Sequence, residues 1–400
     1  MTPVSEPIDP MTPLSTQLIH HDYEPPAGFG SMQPGVFKAS TVIFPNVAAL
    51  RARDWRSRAG YTYGLHGTPT TFTLEERIAT LEGGTYCSLA PSGLGAIATV
   101  NIALLKPGDE VLLPDNAYGP SREMARSLLA SWGIAHKLYD PMDLHNYEAA
   151  FSERTRLVWI EAPGSITMEF PDLRALVRTA RQRGTWVAFD NTWGAGIALR
   201  PFDLGEGLGV DLCMQALTKY PSGGGDVLMG SVVTRERALN EKLLMVHMRL
   251  GTGVGANDVE LVLRSLPSIE LRYRAQDHTA RRVAAWLKTQ HGVKRVLHPA
   301  LPGAPGHEHW AAHCSDAAGL FSVVLDPSLP ASRIDAFCDG LKRFKLGYSW
   351  AGPVSLAVPY ELKMLRAAPR YDGHLVRFSI GLEAADDLIA DLDQALALLR

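Results

Sequence analysis

Two residues with useful chemistry stand at the ends of apolar runs that read as buried strands. Lys219 comes after the run VDLCMQAL and Thr218, and the glycine-rich turn SGGGD follows it. Asp190 comes near the end of the run TWVAFDN. In open α/β sheets ligands bind at the carboxyl ends of strands, where a buried lysine has a lowered pKa and acts as a nucleophile or base. A carboxylate there can hold a cationic ring nitrogen. On position alone, a lysine that extends to solvent is the favoured interpretation of Lys219, and an aspartate that caps a turn is a common alternative for Asp190.

A third candidate is the turn PSGLGAIA, between the predicted strand YCSLA and a predicted helix. The free N–H groups at such a helix start form a phosphate site. The turn also fits the dinucleotide pattern G-x-G-x-x-A through Gly93, Gly95 and Ala98, with Asp115 ending the next strand. A nicotinamide-dependent oxidoreductase is therefore an open alternative, although it gives Lys219 and Asp190 no role.

Tyr118 and Arg377 complete the set of candidates. Tyr118, in DNAYGPS, precedes a helix and can stack on a flat ligand, although a packed loop aromatic is as good an interpretation. Arg377, in LVRFSIG, lies on the face of a strand opposite its apolar neighbours, where an arginine binds a carboxylate or faces solvent. A phosphate cup, an aromatic ring, a carboxylate and a lysine together suit pyridoxal 5′-phosphate (PLP).

The composition is that of an ordinary globular enzyme. The 400 residues are 46% hydrophobic and 20% charged, with a net charge of −3, so neither nucleic acid nor an anionic membrane is an expected partner. We find no secretory signal and no apolar run of roughly 18 residues, the length that a membrane span needs. The four cysteines are isolated, which indicates buried thiols and a cytoplasmic location. The histidines of GHEHWAAHC lack a third ligand, and a surface helix is favoured over a metal site there.

The pattern of strands and helices divides the chain into three parts. Residues 1–62, rich in Pro and Gly, are predicted to be an N-terminal arm involved in subunit contacts. Residues 63–260 alternate between apolar strands and helices, which predicts an α/β domain with a mainly parallel sheet. Residues 261–400 are predicted to form a smaller α+β domain.

One helix prediction can be made in detail. In TTFTLEERIATLEGG the apolar residues recur at helical spacing, and Thr73 and Glu76 have capping-box spacing. This predicts a helix start near Thr73 and an end at Gly83.

From about residue 35 onward the chain resembles the Cys/Met-metabolism PLP-dependent enzymes, and within them the bacterial cystathionine β-lyase branch. The similarity lies in the segments YGLHGTPTTFTLEERIATLEGG, GDEVLLPDNAYGPS, EAPGSITMEFPD, FDNTWGAG, QALTKY, HPALPG, YSWAGPVSL and LVRFSIGLEAADDLIADLD. The resemblance implies an aspartate-aminotransferase-like fold (PLP fold type I) with a seven-stranded sheet. It also implies a homotetramer, a dimer of dimers whose active sites are shared between subunits.

The resemblance also implies a role for each matching residue. Lys219 would bond to the cofactor and move protons, Asp190 would hold the pyridine nitrogen protonated, and Tyr118 would stack on the ring. Cofactor-binding residues would also include Ser92, Gly93, Leu94, Thr218 and, from the neighbouring subunit, Tyr63. Arg377 would bind the substrate carboxylate, with Ser349, Trp350, Tyr118 and Tyr63 as further substrate contacts.

The chain departs from the family pattern at two positions. Leu65 stands where the family usually has a phosphate-binding arginine, in a Tyr-x-Arg sequence that reads Tyr-Gly-Leu here. Ala216 stands where many members have a phosphate-binding serine. Both changes bear on how tightly phosphate is bound, and the first bears on the substrate.

The activity implied by the resemblance is a carbon–sulfur lyase that converts L-cystathionine by β-elimination to homocysteine, pyruvate and ammonia. The substrate would be a small sulfur amino acid. The alternatives within the family are a cysteine desulfhydrase, a cystathionine γ-lyase, a methionine γ-lyase and an O-acylhomoserine sulfhydrylase.

Overall fold

The computed structural model describes residues 12–21, 23, 26–56, 58, 60–366 and 369–399, and the predicted arm lies partly outside these ranges. Within the arm it contains the helices α1 (Leu14–Ile19) and α2 (Val47–Arg51). Among the described residues, no helix has the length and apolar character that crossing a membrane requires.

The first sheet has seven strands, as predicted. They are β1 (Tyr86–Ala90), β2 (Glu110–Pro114), β3 (Ala135–Tyr139), β4 (Thr155–Glu161), β5 (Trp186–Asp190), β6 (Leu212–Gln215) and β7 (Gly230–Thr234). Their order is β1-β7-β6-β5-β4-β2-β3. Only β7 runs opposite to the other six strands, pairing antiparallel with β1 and β6, so the prediction of a mainly parallel sheet is confirmed.

Helices cover this sheet because its strands are apolar on both faces. They are α3 (Pro69–Glu82), α4 (Gly93–Leu104), α5 (Gly119–Met124), α6 (Leu144–Ala150), α7 (Leu173–Gln182), α8 (Arg237–Leu250) and α9 (Ala256–Ser265). Every residue of β2, β6 and β7 is buried, and so are the four cysteines, all with free thiols. Each fully buried aliphatic side chain contributes roughly 1.5–3 kcal/mol to folding.

The predicted start of α3 was wrong. The helix begins at Pro69, and its capping box joins Thr68 and Thr71. Proline suits the first helical position because its missing N–H would have no partner there. Thr73 lies inside the helix, where its hydroxyl donates to Pro69 O at 2.8 Å. The predicted end is confirmed, because Gly83 caps the helix with a φ of 74°.

The rest of the chain forms the predicted α+β arrangement. Its elements are α10 (Ile269–Leu287), β8 (Val293–Leu297), α11 (His307–His313), β9 (Leu320–Leu325), α12 (Ala331–Asp339), β10 (Lys345–Leu346), β11 (Leu356–Glu361), β12 (His374–Ser379) and α13 (Ala385–Leu396). The strands form a second sheet in the order β10-β11-β12-β9-β8. The predicted boundary after residue 260 falls within α9, so the division into domains stays a prediction.

The strand order places chemistry at one edge of the first sheet. Strands β4, β5 and β6 are adjacent and parallel, so their carboxyl ends lie side by side. Glu161 at the end of β4 pairs in register with Asp190 at the end of β5, and Asp190 pairs with Met214 of β6. Lys219 follows a few residues after the end of β6.

Candidate active site

Lys219 lies in a tight turn after β6. Its backbone N–H donates to Ala216 O at 3.0 Å, and Gly223 N–H donates to Lys219 O at 2.9 Å. The amino group donates to Ser349 Oγ at 2.6 Å and lies 5.5 Å from the centre of the Trp350 ring. Burial and the nearby Arg377 guanidinium lower the pKa of Lys219 to about 8, against the opposing effect of Asp190. The lysine is therefore a candidate base and nucleophile near neutral pH.

Thr192 favours the charged form of Asp190 through two hydrogen bonds. The Asp190 Oδ1 atom accepts hydrogen bonds from the Thr192 backbone N–H at 3.0 Å and from the Thr192 hydroxyl at 2.6 Å. The same hydroxyl accepts from Ala216 N–H at 3.0 Å, which links β5 to the turn before Lys219. Burial raises the pKa of Asp190, and Thr192 and Lys219 oppose that shift.

A second buried carboxyl group, Glu161, lies beside Asp190. Its Oε2 atom accepts from the Tyr118 backbone N–H at 2.8 Å. Burial, and then the charge of Asp190, raise the pKa of Glu161 well above its usual range. Two carboxylates this close cannot both ionise easily. Because Thr192 and Lys219 favour the charged form of Asp190, Glu161 is the partner that keeps its proton.

Arg377 of β12 brings a cation to this group of residues. It is only 7% exposed, and among the described residues no carboxylate lies within ion-pair distance of it. Its guanidinium lies 5.6 Å from the centre of the Tyr360 ring. Burial lowers the pKa of Arg377, and Tyr360, Tyr118 and Tyr348 oppose that shift. A buried guanidinium with aromatic neighbours and no carboxylate partner is suited to bind an anion.

Tyr118 stands at the start of α5 with its side chain available to a ligand. The residue is 41% exposed. Burial and then the charge of Asp190 raise the pKa of Tyr118, while Arg377 opposes the increase. The phenol therefore stays protonated at neutral pH. Its pKa responds to Asp190 and Arg377, which indicates that Tyr118 lies near both.

The turn before α4 forms a cup that a side chain would fill. Ser92 Oγ caps the helix by accepting from Gly95 N–H at 2.9 Å, while the N–H groups of Gly93 and Leu94 belong to the first turn. A Cβ at Gly93 would lie 2.7 Å from Ala216 Cβ, so this position must be glycine. The close approach puts Ala216 at the wall of the cup. Thr218 Oγ1 bonds Met229, donating to its O at 3.2 Å and accepting from its N–H at 3.1 Å.

These residues fit PLP. The cup offers backbone N–H groups at a helix start for a phosphate, and Lys219 offers an amine of lowered pKa. Asp190, which accepts two hydrogen bonds from Thr192, offers a carboxyl group for a ring nitrogen. Asp115, the acid of the dinucleotide alternative, is instead ion-paired with Arg366.

Two further predicted site residues are Tyr63, whose contacts lie outside the Lys219 group, and Ser349, which contacts Lys219 itself. Tyr63 is 45% exposed; its hydroxyl accepts from Ser40 Oγ at 3.3 Å and its ring lies 6.0 Å from that of His66. Its predicted role in a neighbouring subunit stays a prediction. Ser349, predicted as a substrate contact, binds the Lys219 amino group.

Sequence reasoning missed Glu161, Thr192 and Tyr360. Glu161 had the same signal as Asp190, since it ends the apolar run RLVWIE. Thr192 stands two residues after Asp190, the spacing at which a carboxylate bonds backbone N–H in a turn. Tyr360 gave no signal, because its place near Arg377 depends on the pairing of β11 with β12.

Comparisons with known proteins agree in family and differ in activity. A family described as Cys/Met metabolism PLP-dependent enzyme matches residues 15–397. A cystathionine β-lyase of Bordetella avium is 38% identical, with 94% of each chain covered. The cystathionine β-lyase of Escherichia coli K12 is 34% identical, covering 96% of this chain and 98% of that protein. An L-alanine/L-glutamate racemase of Wolbachia pipientis is 32% identical, covering 92% of this chain and 93% of that protein. The solved structure of a cystathionine γ-synthase from Xanthomonas oryzae pv. oryzae, in complex with aminoacrylate and cysteine, has a TM-score of 0.87 and 30% identity, covering 97% of this chain and 98% of that one.

Proposed function

The chain belongs to the Cys/Met-metabolism PLP-dependent enzymes, and from this premise we propose that it is a carbon–sulfur lyase acting on L-cystathionine by β-elimination. The products would be homocysteine, pyruvate and ammonia. Because this family depends on PLP, the alternative of a nicotinamide-dependent oxidoreductase is excluded.

The observation that carries the proposal is the environment of the Lys219 amino group, which donates to Ser349 Oγ at 2.6 Å and lies over the Trp350 ring. The amino group is influenced by the Arg377 cation and the Asp190 anion, and its pKa is lowered to about 8. Arg377 is available to hold a substrate α-carboxylate, because it has no carboxylate partner among the described residues. A substrate held there would present its α-carbon to the lysine.

Each residue then has a task in elimination. Arg377 binds and orients the α-carboxylate. When bound, PLP withdraws electrons from the α-carbon, so that its proton becomes acidic. Lys219 as the free amine takes this proton, and after the Cβ–S bond breaks it returns a proton to the thiolate. Asp190 keeps the ring nitrogen cationic, and Tyr118 covers the ring.

We propose that the phosphate lies in the cup formed by Ser92, Gly93 and Leu94, with Thr218 beside it. A glycine that cannot accept a side chain, next to the free N–H groups of α4, supports this assignment. Ser349 and Trp350 lie close to Lys219 and are proposed to contact both the lysine and the substrate.

We propose a homotetramer in the cytoplasm, in which residues 1–62 and Tyr63 contact a neighbouring subunit. Large apolar side chains of the arm are exposed in the single chain: Met32 is 98% exposed, Ile43 89% and Phe29 67%. Exposed apolar surface of this kind is typical of subunit interfaces.

The deciding experiment is a product assay with L-cystathionine and the PLP-loaded protein. Pyruvate with homocysteine is the expected result. Release of 2-oxobutyrate with cysteine would instead mean γ-elimination. If no thiol forms, cysteine, methionine and O-acylhomoserine with a sulfide donor test the desulfhydrase, methionine γ-lyase and sulfhydrylase alternatives. Loss of optical activity from L-alanine without release of a keto acid would indicate a racemase.

A further inference from the structure

A second group of buried charges lies outside the Lys219 site. Its centre is Arg366, whose side chain is 3% exposed. The guanidinium forms a bidentate pair with Asp115, in which Nε donates to Oδ2 at 3.1 Å and Nη2 donates to Oδ1. The Nη1 atom donates to Oε1 of the fully buried Glu169 at 2.8 Å. One arginine from the second half of the chain therefore holds two carboxylates of the first half.

One partner of Arg366, Asp115, belongs to the loop that carries Tyr118, and the other, Glu169, binds that loop through Asn116. Asp115 is three residues before Tyr118, and its N–H donates to Tyr139 O at 2.8 Å. The next residue, Asn116, donates through Nδ2 to the other oxygen of Glu169 at 2.9 Å. Arg366 thus contacts the loop directly at Asp115 and indirectly at Asn116.

The chain that follows Tyr118 also contacts the segment that contains Arg366. Arg122, one turn into α5, donates through Nη1 to Asp115 O at 2.8 Å and to Leu365 O at 2.9 Å. Residues 365 and 366 therefore fix the chain both before and after Tyr118.

The charges of the cluster require Arg366. Three carboxylates, on Asp115, Asp140 and Glu169, face two guanidinium groups, on Arg366 and Arg370. Arg370 forms its close pair with Asp140 at 2.5 Å and lies 3.7 Å from Glu169. Without Arg366 the fully buried carboxylate of Glu169 would lose its close cation, and the partly exposed carboxylate of Asp115 would lose its bidentate partner. Even where one of these groups takes up a proton, the loop loses the two bonds from Arg366 that hold Asp115.

We propose that Arg366 is a positioning residue that fixes loop 115–118 and so sets the place of the Tyr118 ring in the active site. Through it, the segment after β11 is coupled to the ligand-facing edge of the first sheet. The link to catalysis rests on the proposed function, but the link to the loop does not.

The test compares Arg366→Gln and Arg366→Lys with a matched control, Arg281→Gln, in the purified PLP-loaded protein. Arg281 also forms a bidentate pair with an aspartate, Asp277, at 2.6 and 2.9 Å. Amide hydrogen exchange of residues 115–118 is the first readout, because the N–H groups of Asp115, Ala117 and Tyr118 all have acceptors. The dissociation constant of PLP, kcat and KM are measured on the same samples.

Arg366→Gln should speed exchange in residues 115–118 by about tenfold or more and leave β5 unchanged. It should also weaken PLP binding and lower kcat/KM by about 10- to 100-fold, as expected when a ligand-facing group is displaced. Arg366→Lys keeps the charge but loses the bidentate geometry, so it should change exchange, PLP binding and kcat/KM less than Arg366→Gln does. Arg281→Gln should leave all three quantities unchanged.

Unchanged exchange in residues 115–118 of either Arg366 variant overturns the proposal, as does an equal change in Arg281→Gln. If Arg366→Gln does not fold, Arg366→Lys and Asp115→Asn decide by the same readouts. A wild-type protein without lyase activity would remove the proposed function, yet the exchange and PLP-binding results would still decide the role of Arg366.

Discussion

The amino group of Lys219 donates a 2.6 Å hydrogen bond to the hydroxyl of Ser349, and Ser349 has a backbone φ of 89°. A residue with a side chain seldom adopts this conformation, which costs on the order of 1–3 kcal/mol. The surrounding chain therefore holds the hydroxyl in place against strain. A bond of this kind keeps the free lysine amine directed toward one position.

Ser349→Ala should reduce kcat by about 10- to 100-fold and leave PLP bound, because a hydrogen bond to a charged group contributes roughly 1.5–3 kcal/mol. Ser349→Gly is the matched control, since glycine removes the same hydroxyl but accepts the φ without strain. Steady-state kinetics measures the loss of the hydroxyl, and thermal unfolding measures the relief of backbone strain. Both variants should lose activity equally, while the glycine variant unfolds at the higher temperature. A glycine variant as active as the wild type would remove the hydroxyl from the mechanism.

The lowered pKa of Lys219 predicts how PLP capture depends on pH. Only the neutral amine attacks an aldehyde, so the capture rate of cofactor-free protein should rise about tenfold per pH unit up to about pH 8 and then level off. An ordinary lysine, with a pKa near 10.5, would keep accelerating to higher pH. Growth of the visible absorption band measures the rate.

Arg377→Gln tests the cause of this shift. Burial is the larger influence on the Lys219 pKa and the Arg377 cation the second, so removing the cation should move the inflection to higher pH without abolishing it. An inflection that stays in place would mean that Arg377 does not act on the lysine.

The paired acids Asp190 and Glu161 should respond differently to neutral isosteric replacement. Asp190→Asn should keep PLP but lower kcat by orders of magnitude, because a neutral amide does not keep the ring nitrogen cationic. Glu161→Gln should change kcat little, because burial and the charge of Asp190 already keep Glu161 protonated. Parallel kcat measurements check both variants. Equal turnover in wild type and Asp190→Asn would remove Asp190 from its role, and a large loss in Glu161→Gln would mean that Glu161 is the ionised partner.

Local patterns predicted the parts of the fold and site that local physics determines. Apolar runs followed by Asp190 or Lys219 predicted that these two residues lie at the same edge of the sheet, and they do, because the parallel strands β5 and β6 end there together. Strand β3 was not among the strands identified from apolar runs, since its edge position leaves Lys137 and Leu138 exposed. Its existence followed only from the family resemblance.

Contacts between distant parts of the chain could not be predicted in this way. The pair Arg366–Asp115 joins residues 251 positions apart, and the Lys219–Ser349 bond joins residues 130 apart. Neither residue type nor spacing reports such a contact, because it depends on how the second sheet packs against the first. The start of α3 could not be predicted either, although it is a local feature. The sequence offers two possible caps, Thr68 before Pro69 and Thr73, and the helix begins at the first of them.

Leu65 provides the last prediction, because it stands where the family usually has a phosphate-binding arginine. Its Cδ1 lies 3.1 Å from the position that a Cβ on Gly253 would take, and His247 Nε2 lies 2.7 Å from its carbonyl oxygen. The backbone is thus held by the chain's own α8 region, while the side chain carries no charge. Leu65→Arg should slow PLP loss during dialysis by about tenfold, since a guanidinium adds a charge-assisted bond to phosphate.

Leu65→Met is the control, because it keeps an apolar side chain of similar size in contact with the same neighbours. The PLP remaining after timed dialysis is read from the visible band of each protein. The methionine variant should lose PLP at the wild-type rate, so slower loss in the arginine variant would come from the charge. Equal loss from both variants would mean that position 65 does not contact the phosphate in the assembled protein, and that the backbone N–H groups of the cup hold it without a cation from this position.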